Sequence, residues 1–432
     1  MSRVLVLGAG VSGLAAAKLA RSRGMSVTIY AEEESPEALG HGFALASGGW
    51  DPVLLTGIDI VVTSPGFSER SMPIVESLES GIPVWSEIEF AWRHLTKPIA
   101  GVTGTNGKTT VTEATSAMLK ASGITAPAAG NIGSPLSDFV DEASDCLVVE
   151  VSSFQLRFVE TFHPVAAAVT NVAVDHLDWH GSEASYRRAK ATIFSNQDEN
   201  DLLVFDADDE GASTLVAGAV SERFPVSGVR LPAAGGGVKD GHLVVDGVDV
   251  AVEDLVSSDP IHLVNLAAAS ALALRMGGTP QGVATAARAF SPGAHRRTLV
   301  ATVGDVKWVD DSKATNPHAA IASIRSHNSV ILIAGGLAKG LDLRPIAAER
   351  NLRAVIGIGT EGPLLVEAAG SRGHLAWTLD RAVDLAATLA EPGDTVLLAP
   401  GCASFDQFRS YAERGDVFAA LVRRKTEGGS DA

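Results

Sequence analysis

GVTGTNGKTT, Gly101 to Thr110, decides how this chain is read. The apolar stretch KPIAGV leads into it, and VTEATSAMLKAS, helical in composition, follows it. Strand, glycine turn and helix in that order predict a phosphate loop. Backbone N–H groups bared at Gly101, Gly104 and Gly107 can close round phosphate oxygens at the positive end of a helix. Lys108 is placed to neutralise a β/γ-phosphate, and the hydroxyl of Thr109 or Thr110 can reach Mg²⁺. The spacing is a variant, because the usual pattern wants glycine five residues before the glycine of GKT and this chain has Val102 there. A plain glycine turn with a surface lysine is the simpler alternative. Strand, glycines, Lys-Thr and helix occurring together predict ATP or GTP use instead, with Gly104, Thr105, Asn106, Gly107, Lys108, Thr109 and Thr110 as the nucleotide site.

The chain has 432 residues, enough for two to four domains. Its 34 basic against 51 acidic residues give a formal charge of −17, which argues against a nucleic-acid partner. Cys146 and Cys402 each lie in or beside an apolar strand pattern, so a disulfide framework is not expected and a reducing compartment fits. MSRVLVLGAG runs directly into a strand and no apolar run approaches a membrane span, which predicts a soluble, cytoplasmic protein with no membrane partner.

In the first segment, Arg3 to Leu7 reads as a strand followed by GAGVSG, with Gly8, Gly10 and Gly13 in GxGxxG spacing. After a second strand, MSVTIY, Glu32 stands about where an acidic residue would bind an adenosine ribose, so NAD or FAD is the literal reading. The same turn holds any diphosphate, however, and nothing downstream supplies a hydride-transfer site. DIVVTSPGF, Asp59 to Phe67, is a further strand ending in Ser64, Pro65 and Gly66, where open parallel sheets place ligands. A boundary near residues 94–98 is expected before the phosphate loop.

Beyond the loop, AGNIGSPL is a glycine-punctuated turn carrying Asn131, and Glu150 ends the apolar run Cys146 to Val151, placed to hold Mg²⁺ or its water shell. VAAAVTNVAV reads as one strand running into DHLDWHGS, which crowds Asp175, His176, Asp178 and His180 together; the spacing fits no standard zinc pattern and suits Mg²⁺ better. SYRRAKATIF is a basic amphipathic helix, and taken locally Lys190 belongs to its solvated face. HLVNLAAASALALRMG is a buried alanine-rich helix, and FSPGAHRRT punctuates a second boundary near 291–295. The remainder alternates strand and helix, with DDSKATNP gathering Asp310, Asp311, Lys313, Thr315 and Asn316 in a turn suited to a charged small molecule.

Taken together, GVTGTNGKTT, GNIGSP, EVSSFQL, TNVAVDHLDWHGS, YRRAKATIF, HRR, DSKATN and PGCASFDQF resemble the Mur ligase family along nearly the whole chain. The resemblance implies an α/β protein of three domains. They are a Rossmann-like UDP-binding domain at 1–96, a central P-loop ATPase-type domain with a mostly parallel sheet at 97–292, and a Rossmann-like C-terminal domain at 293–432 that binds glutamate. It implies an ATP-driven amide ligase that joins D-glutamate to UDP-N-acetylmuramoyl-L-alanine through an acyl phosphate and a tetrahedral intermediate. Such a reaction needs charge neutralisation and positioning more than covalent help.

Matched motif by motif, Lys108, Glu150, His176, Lys190 and Lys339 are the implied catalytic set. Thr109, Glu150, His176 and a carbamylated Lys190 would face Mg²⁺, with Mn²⁺ as a substitute. Asn265, Arg296 and Asp311 would extend the ATP site. Val11, Ser12, Ser64, Pro65, Gly66, Asn131 and His176 would bind the UDP-sugar, and Lys313, Thr315, Ser404 and Tyr411 the glutamate. The chain itself is expected to be a monomer. The chain departs from the family at Ala31, where an acidic residue meets uracil, at Ile261-His262, where His-Asn begins a helix, and at Tyr411, which can be Phe. A ligase of the same fold using L-glutamate or another amino acid, and more remotely an NAD/FAD oxidoreductase, are the competing readings.

Overall fold

The computed structural model describes residues 1–428, with side chains through 425. Its first sheet has five parallel strands, β1 (Arg3–Leu7), β2 (Ser26–Ala31), β3 (Ala44–Ser47), β4 (Ile60–Thr63) and β5 (Val84–Ser86), in the order β3-β2-β1-β4-β5. That is the strand order of a Rossmann-type sheet, with the order reversing between β1 and β4. The second has six parallel strands, β6 (Ile99–Thr103), β7 (Ala128–Gly130), β8 (Leu147–Glu150), β9 (Ala166–Val169), β10 (Leu202–Asp206) and β11 (Glu222–Val226), ordered β11-β10-β9-β6-β8-β7. Strands such as VLVL and LVV are apolar without alternation because helices cover both faces of a parallel sheet.

A small antiparallel sheet follows, β12 (Gly237–Lys239), β13 (His242–Val245) and β14 (Val248–Ala251). The fourth contains β15 (Thr298–Val303), β16 (Val306–Asp310), β17 (Val330–Gly335), β18 (Leu352–Ile358), β19 (Gly373–Trp377) and β20 (Thr395–Leu398), ordered β15-β16-β20-β17-β18-β19. Only β15 runs antiparallel in it. The chain is thus mixed α/β with mainly parallel sheets. Among the described residues no helix is long and apolar enough to cross a membrane.

These elements form two compact units, one of residues Met1–Ala173 with Trp179–Phe290, the other of Val174–Asp178 with the described residues from Ser291 on. In the first unit the two parallel sheets share one apolar core, in which Val4, Val6 and Ile29 join Leu147, Val149 and Ala167. Glu89 fastens the same junction. Fully buried, its carboxylate accepts from the backbone N–H groups of Glu160, Thr161 and Phe162, from the Thr161 hydroxyl at 2.6 Å and from Arg93 Nε at 2.7 Å. So many charge-assisted donors are what let a carboxylate lie inside.

Two local expectations are corrected. VAAAVTNVAV is a strand only over Ala166–Val169, because the side chains of Thr170 and Asn171 turn to bind another loop. Lys190 does not lie on a solvated face. In the helix Glu183–Ala191, Tyr186 and Lys190 are four residues apart and share the buried face with Ala189. Lys190 is only 1% exposed.

Candidate active site

The phosphate loop joins β6 to the helix Lys108–Ala121 at the C-terminal edge of the second sheet, where parallel sheets carry their ligands. It is braced by the segment following β9. Thr105 N–H donates to Asn171 O at 2.9 Å and Asn106 N–H to Asn171 Oδ1 at 2.8 Å. In return Thr170 Oγ1 and Asn171 Nδ2 donate to the Asn106 carbonyl at 2.5 and 3.0 Å. Gly104 holds φ +148°, and a Cβ there would lie 1.8 Å from Thr170 Oγ1. Only glycine fits such a backbone at such a contact. Gly107 caps the helix without a side chain, and Asn265 Oδ1 lies 2.8 Å from where a Cβ at Gly107 would stand.

Two ammonium groups converge on this turn. Lys108 Nζ donates to the carbonyls of Gly104 and Thr105 at 2.8 and 2.9 Å, and Lys190 Nζ donates to the same Gly104 carbonyl at 2.7 Å. Lys190 also sits 4.7 Å over the ring of Tyr186, whose hydroxyl meets Thr105 Oγ1 at 2.9 Å. Positive charge at a helix N-terminus is an arrangement suited to a polyanion. Thr109, in the first turn of the helix, is half-buried, and Thr110 is buried.

Glu150 closes β8, one strand over from the loop, in register with Val102. It is 2% exposed; Oε1 accepts from Asn131 Nδ2 at 2.7 Å, and Oε2 is buried with no hydrogen-bond partner. A buried carboxylate oxygen left unpaired is costly, and a divalent cation or its water would remove that cost. That oxygen therefore suits one ligand position of Mg²⁺. Asn131, expected at the sugar, is thus hydrogen-bonded to Glu150. Among the described residues no three His, Cys, Asp or Glu side chains gather into a metal cluster, those of DHLDWH included.

In the first sheet, Val11 and Ser12 open the helix Val11–Ser22, whose cap Gly10 supplies no side chain to its N–H groups. Val11 is exposed, Ser12, Ser64 and Pro65 are half-buried, and Gly66 is exposed. Ser64 Oγ is buried without a hydrogen-bond partner.

The remaining expected residues belong to the second unit. His176 has φ +52°; its N–H donates to Asp175 Oδ1 at 2.9 Å, and Asp175 Oδ2 accepts from Asn316 Nδ2 at 3.1 Å. Lys313, Thr315 and Asn316 follow β16, Lys339 follows β17, and Ser404 and Tyr411 follow β20, so the loops of three adjacent strands meet at one edge of the sheet. Lys313 Nζ lies 3.9 Å over the Tyr411 ring, Ser404 is buried and Lys339 is exposed with φ +51°. Arg296 is half-buried. It is its neighbour Arg297 that holds Asp311, with N–H to Oδ1 at 3.3 Å and Nε 3.7 Å from Oδ2. Burial pushes the Asp311 carboxyl up, and the Arg297 charge opposes that rise.

Four residues outside the expected set carry this architecture: Thr170 and Asn171 brace the phosphate loop, Tyr186 meets Thr105, and Arg414 joins two loops of the second unit. Arg414 is buried, donating to Ser312 Oγ and O at 2.9 and 2.8 Å and to the Cys402 carbonyl at 3.3 Å. Burial lowers its pKa to about 10.

Comparison with known proteins finds matches along nearly the whole chain. Residues 2–86 match the Mur ligase MurD-like N-terminal domain, 102–228 the Mur ligase middle domain, and 295–402 the Mur ligase glutamate ligase domain. The UDP-N-acetylmuramoylalanine--D-glutamate ligase of Frankia casuarinae is 45% identical, with 98% of this chain and 94% of that protein covered. The ligase of the same name from Streptomyces coelicolor is 38% identical, with 97% of each covered. Among solved structures, a pseudomurein peptide ligase type C from Methanothermus fervidus superposes with a TM-score of 0.60 at 17% identity, covering 98% of this chain and 100% of that one, a likeness of fold. With family matches in all three segments and relatives of this identity over nearly its full length, the chain belongs to the Mur ligase family.

Proposed function

We propose that this chain is an ATP-dependent UDP-N-acetylmuramoyl-L-alanine:D-glutamate ligase of peptidoglycan precursor synthesis. The observation that carries the chemistry is the phosphate loop, with the Lys108 ammonium and the Lys190 side chain both on the Gly104 carbonyl and the unpaired Glu150 oxygen one strand away. The substrates come from the relatives, which are named for joining D-glutamate to UDP-N-acetylmuramoylalanine.

In this reading Lys108 exchanges the Gly104 and Thr105 carbonyls for β/γ-phosphate oxygens when ATP binds, and Gly104 to Thr110 cradle the phosphates. Asn265, Arg296 and Asp311 extend the nucleotide site. Thr109, Glu150, His176 and Lys190 would hold Mg²⁺ or, in its place, Mn²⁺; the ion neutralises charge on the transferring phosphoryl group. Lys190, inside and beside Gly104, would serve as a carbamate, an anion in place of a buried cation.

The carboxylate of the UDP-sugar takes the γ-phosphoryl group and ADP leaves. The glutamate amine, having lost its extra proton, then adds to the acyl carbon, and phosphate departs from the tetrahedral intermediate. Lys339 would neutralise the charge that develops there. Lys313, Thr315, Ser404 and Tyr411 would bind the glutamate carboxylates, while Val11, Ser12, Ser64, Pro65, Gly66, Asn131 and His176 hold the UDP-sugar. These tasks divide among domains 1–96, 97–292 and 293–432 of a cytoplasmic monomer.

The test is phosphate release by the purified protein with ATP, Mg²⁺ and UDP-N-acetylmuramoyl-L-alanine, with D-glutamate, L-glutamate or no amino acid. Release that requires D-glutamate supports the proposal. Release with L-glutamate alone would keep the mechanism and change the product, and silence in all three would sink it.

A further inference from the structure

His180 belongs to the DHLDWHGS run, which gathers no metal cluster, and has no role in the proposed reaction, yet it stands between two parts of the site. Its Nε2 is 2.9 Å from Ser153 Oγ, and both residues are 3% exposed. Ser153 begins the short helix Ser153–Leu156, three residues after Glu150, and a capping box between Ser152 and Gln155 fixes that turn. The imidazole is stacked on Phe154, with centroids 5.6 Å apart and planes at 16°, and meets the Trp179 ring at 4.5 Å. It also meets Tyr186, edge to face at 5.4 Å and 73°. Tyr186 in turn meets Thr105 of the phosphate loop through its hydroxyl and Lys190 through its ring face. Thr105 Oγ1 also accepts from the Ala173 N–H at 3.0 Å, so the position of the tyrosine hydroxyl is felt in the loop itself.

We propose that His180 is a positioning residue for phosphoryl transfer: anchored on Ser153, it fixes the Tyr186 ring that orients Thr105 and packs against the Lys190 side chain. Phenylalanine would pack into the same aromatic cluster without burying a polar ring. What the imidazole adds is the directional bond to Ser153, and buried directional bonds specify orientation more than they add stability. The contact series Ser153, His180, Tyr186, Thr105 and Lys190 therefore ties the turn after Glu150 to the phosphate loop. A small misplacement of either end is enough to slow a reaction that depends on positioning.

The proposal rests on the ligase reading, and its test separates the two. Ser153→Ala, His180→Phe, His180→Gln and the double variant Ser153→Ala/His180→Phe are assayed beside the wild type for D-glutamate-dependent phosphate release and for thermal unfolding. Ser153→Ala and His180→Phe are each expected to lower kcat roughly 10-fold, with KM for D-glutamate unchanged. The double variant loses no more than either single one, because both remove the same bond. His180→Gln, which restores a bonding group near the Nε2 position, recovers part of kcat. A fully active Ser153→Ala, losses that multiply in the double variant, or a kcat loss that only follows lowered thermal stability would overturn this proposal alone. A wild type without D-glutamate-dependent release would overturn the ligase reading with it.

Discussion

Gly104→Ala tests the phosphate loop at its tightest point. At φ +148° an alanine costs about 1–3 kcal/mol in backbone strain. Its Cβ would begin 1.8 Å from Thr170 Oγ1 and 3.2 Å from Asn171 N, so the Thr170 side chain has to turn away. Doing so gives up the 2.5 Å bond to the Asn106 carbonyl, about 1 kcal/mol for a typical intramolecular bond. The sum is about 2–4 kcal/mol. Urea unfolding of Gly104→Ala, Thr170→Ala and the double variant reads it directly. Thr170→Ala removes the obstruction but not the backbone cost, so the double variant should be more stable than the two separate losses predict, by about 1 kcal/mol. Calorimetric ATP affinity should fall at least about tenfold in Gly104→Ala, since one 1.4 kcal/mol step is a factor of ten. A variant within about 0.5 kcal/mol of wild type that still binds ATP normally would refute the reasoning, because surface substitutions do no more than that.

Three further outcomes follow from buried charges. Glu150→Gln keeps the bond from Asn131 but removes the anion, so kcat should fall by at least about 100-fold while thermal stability holds or rises, in line with losing one electrostatic stabiliser; an active variant with unaltered Mg²⁺ dependence contradicts the assignment. Lys190→Ala should lose activity on a similar scale, about 100-fold, and recover part of it with added short carboxylic acids; full activity without any such rescue contradicts the carbamate role. Glu87 is buried, accepting the Ser137 N–H at 2.6 Å, and burial pushes its carboxyl from 4.5 up to about 7. A folded-state pKa above the unfolded one means that the folded protein holds the proton more tightly. The stability from this group is complete below pH 4.5 and is lost as pH rises towards 7, by at most about 3 kcal/mol. Glu87→Gln should flatten that part of the stability–pH curve. Asp206, likewise pushed to about 7, titrates in both proteins, so the difference between them isolates Glu87.

The phosphate loop was legible because its chemistry is local: strand, glycines, lysine and helix adjoin in sequence and remain adjacent in space. The place of Glu150 was legible for a related reason, as the carboxylate ends an apolar run in a parallel sheet and stays buried there. The brace from Thr170 and Asn171 was not, because it depends on β9 lying beside β6, a pairing of strands more than sixty residues apart. Apolar composition suggested a longer strand there, and it was two polar side chains that ended it. Lys190 misled for the opposite reason. Two nearby arginines, Arg187 and Arg188, give the helix a basic composition, while the four-residue spacing from Tyr186 decides which face turns inward. Arg414 left no signal in its own neighbourhood, since an arginine in the first turn of a helix reads as surface until Ser312 and Cys402 close over it.

The central claim is that ATP activates a carboxylate for attack by D-glutamate. Its most direct measurement uses UDP-N-acetylmuramoyl-L-alanine labelled with ¹⁸O in the alanine carboxylate, incubated with the protein, ATP, Mg²⁺ and D-glutamate, and follows the label by mass spectrometry. An acyl phosphate requires one labelled oxygen to leave with the released phosphate as the amide forms. Label appearing in phosphate only when D-glutamate is present and amide is made is the predicted result; phosphate released without label would contradict the account.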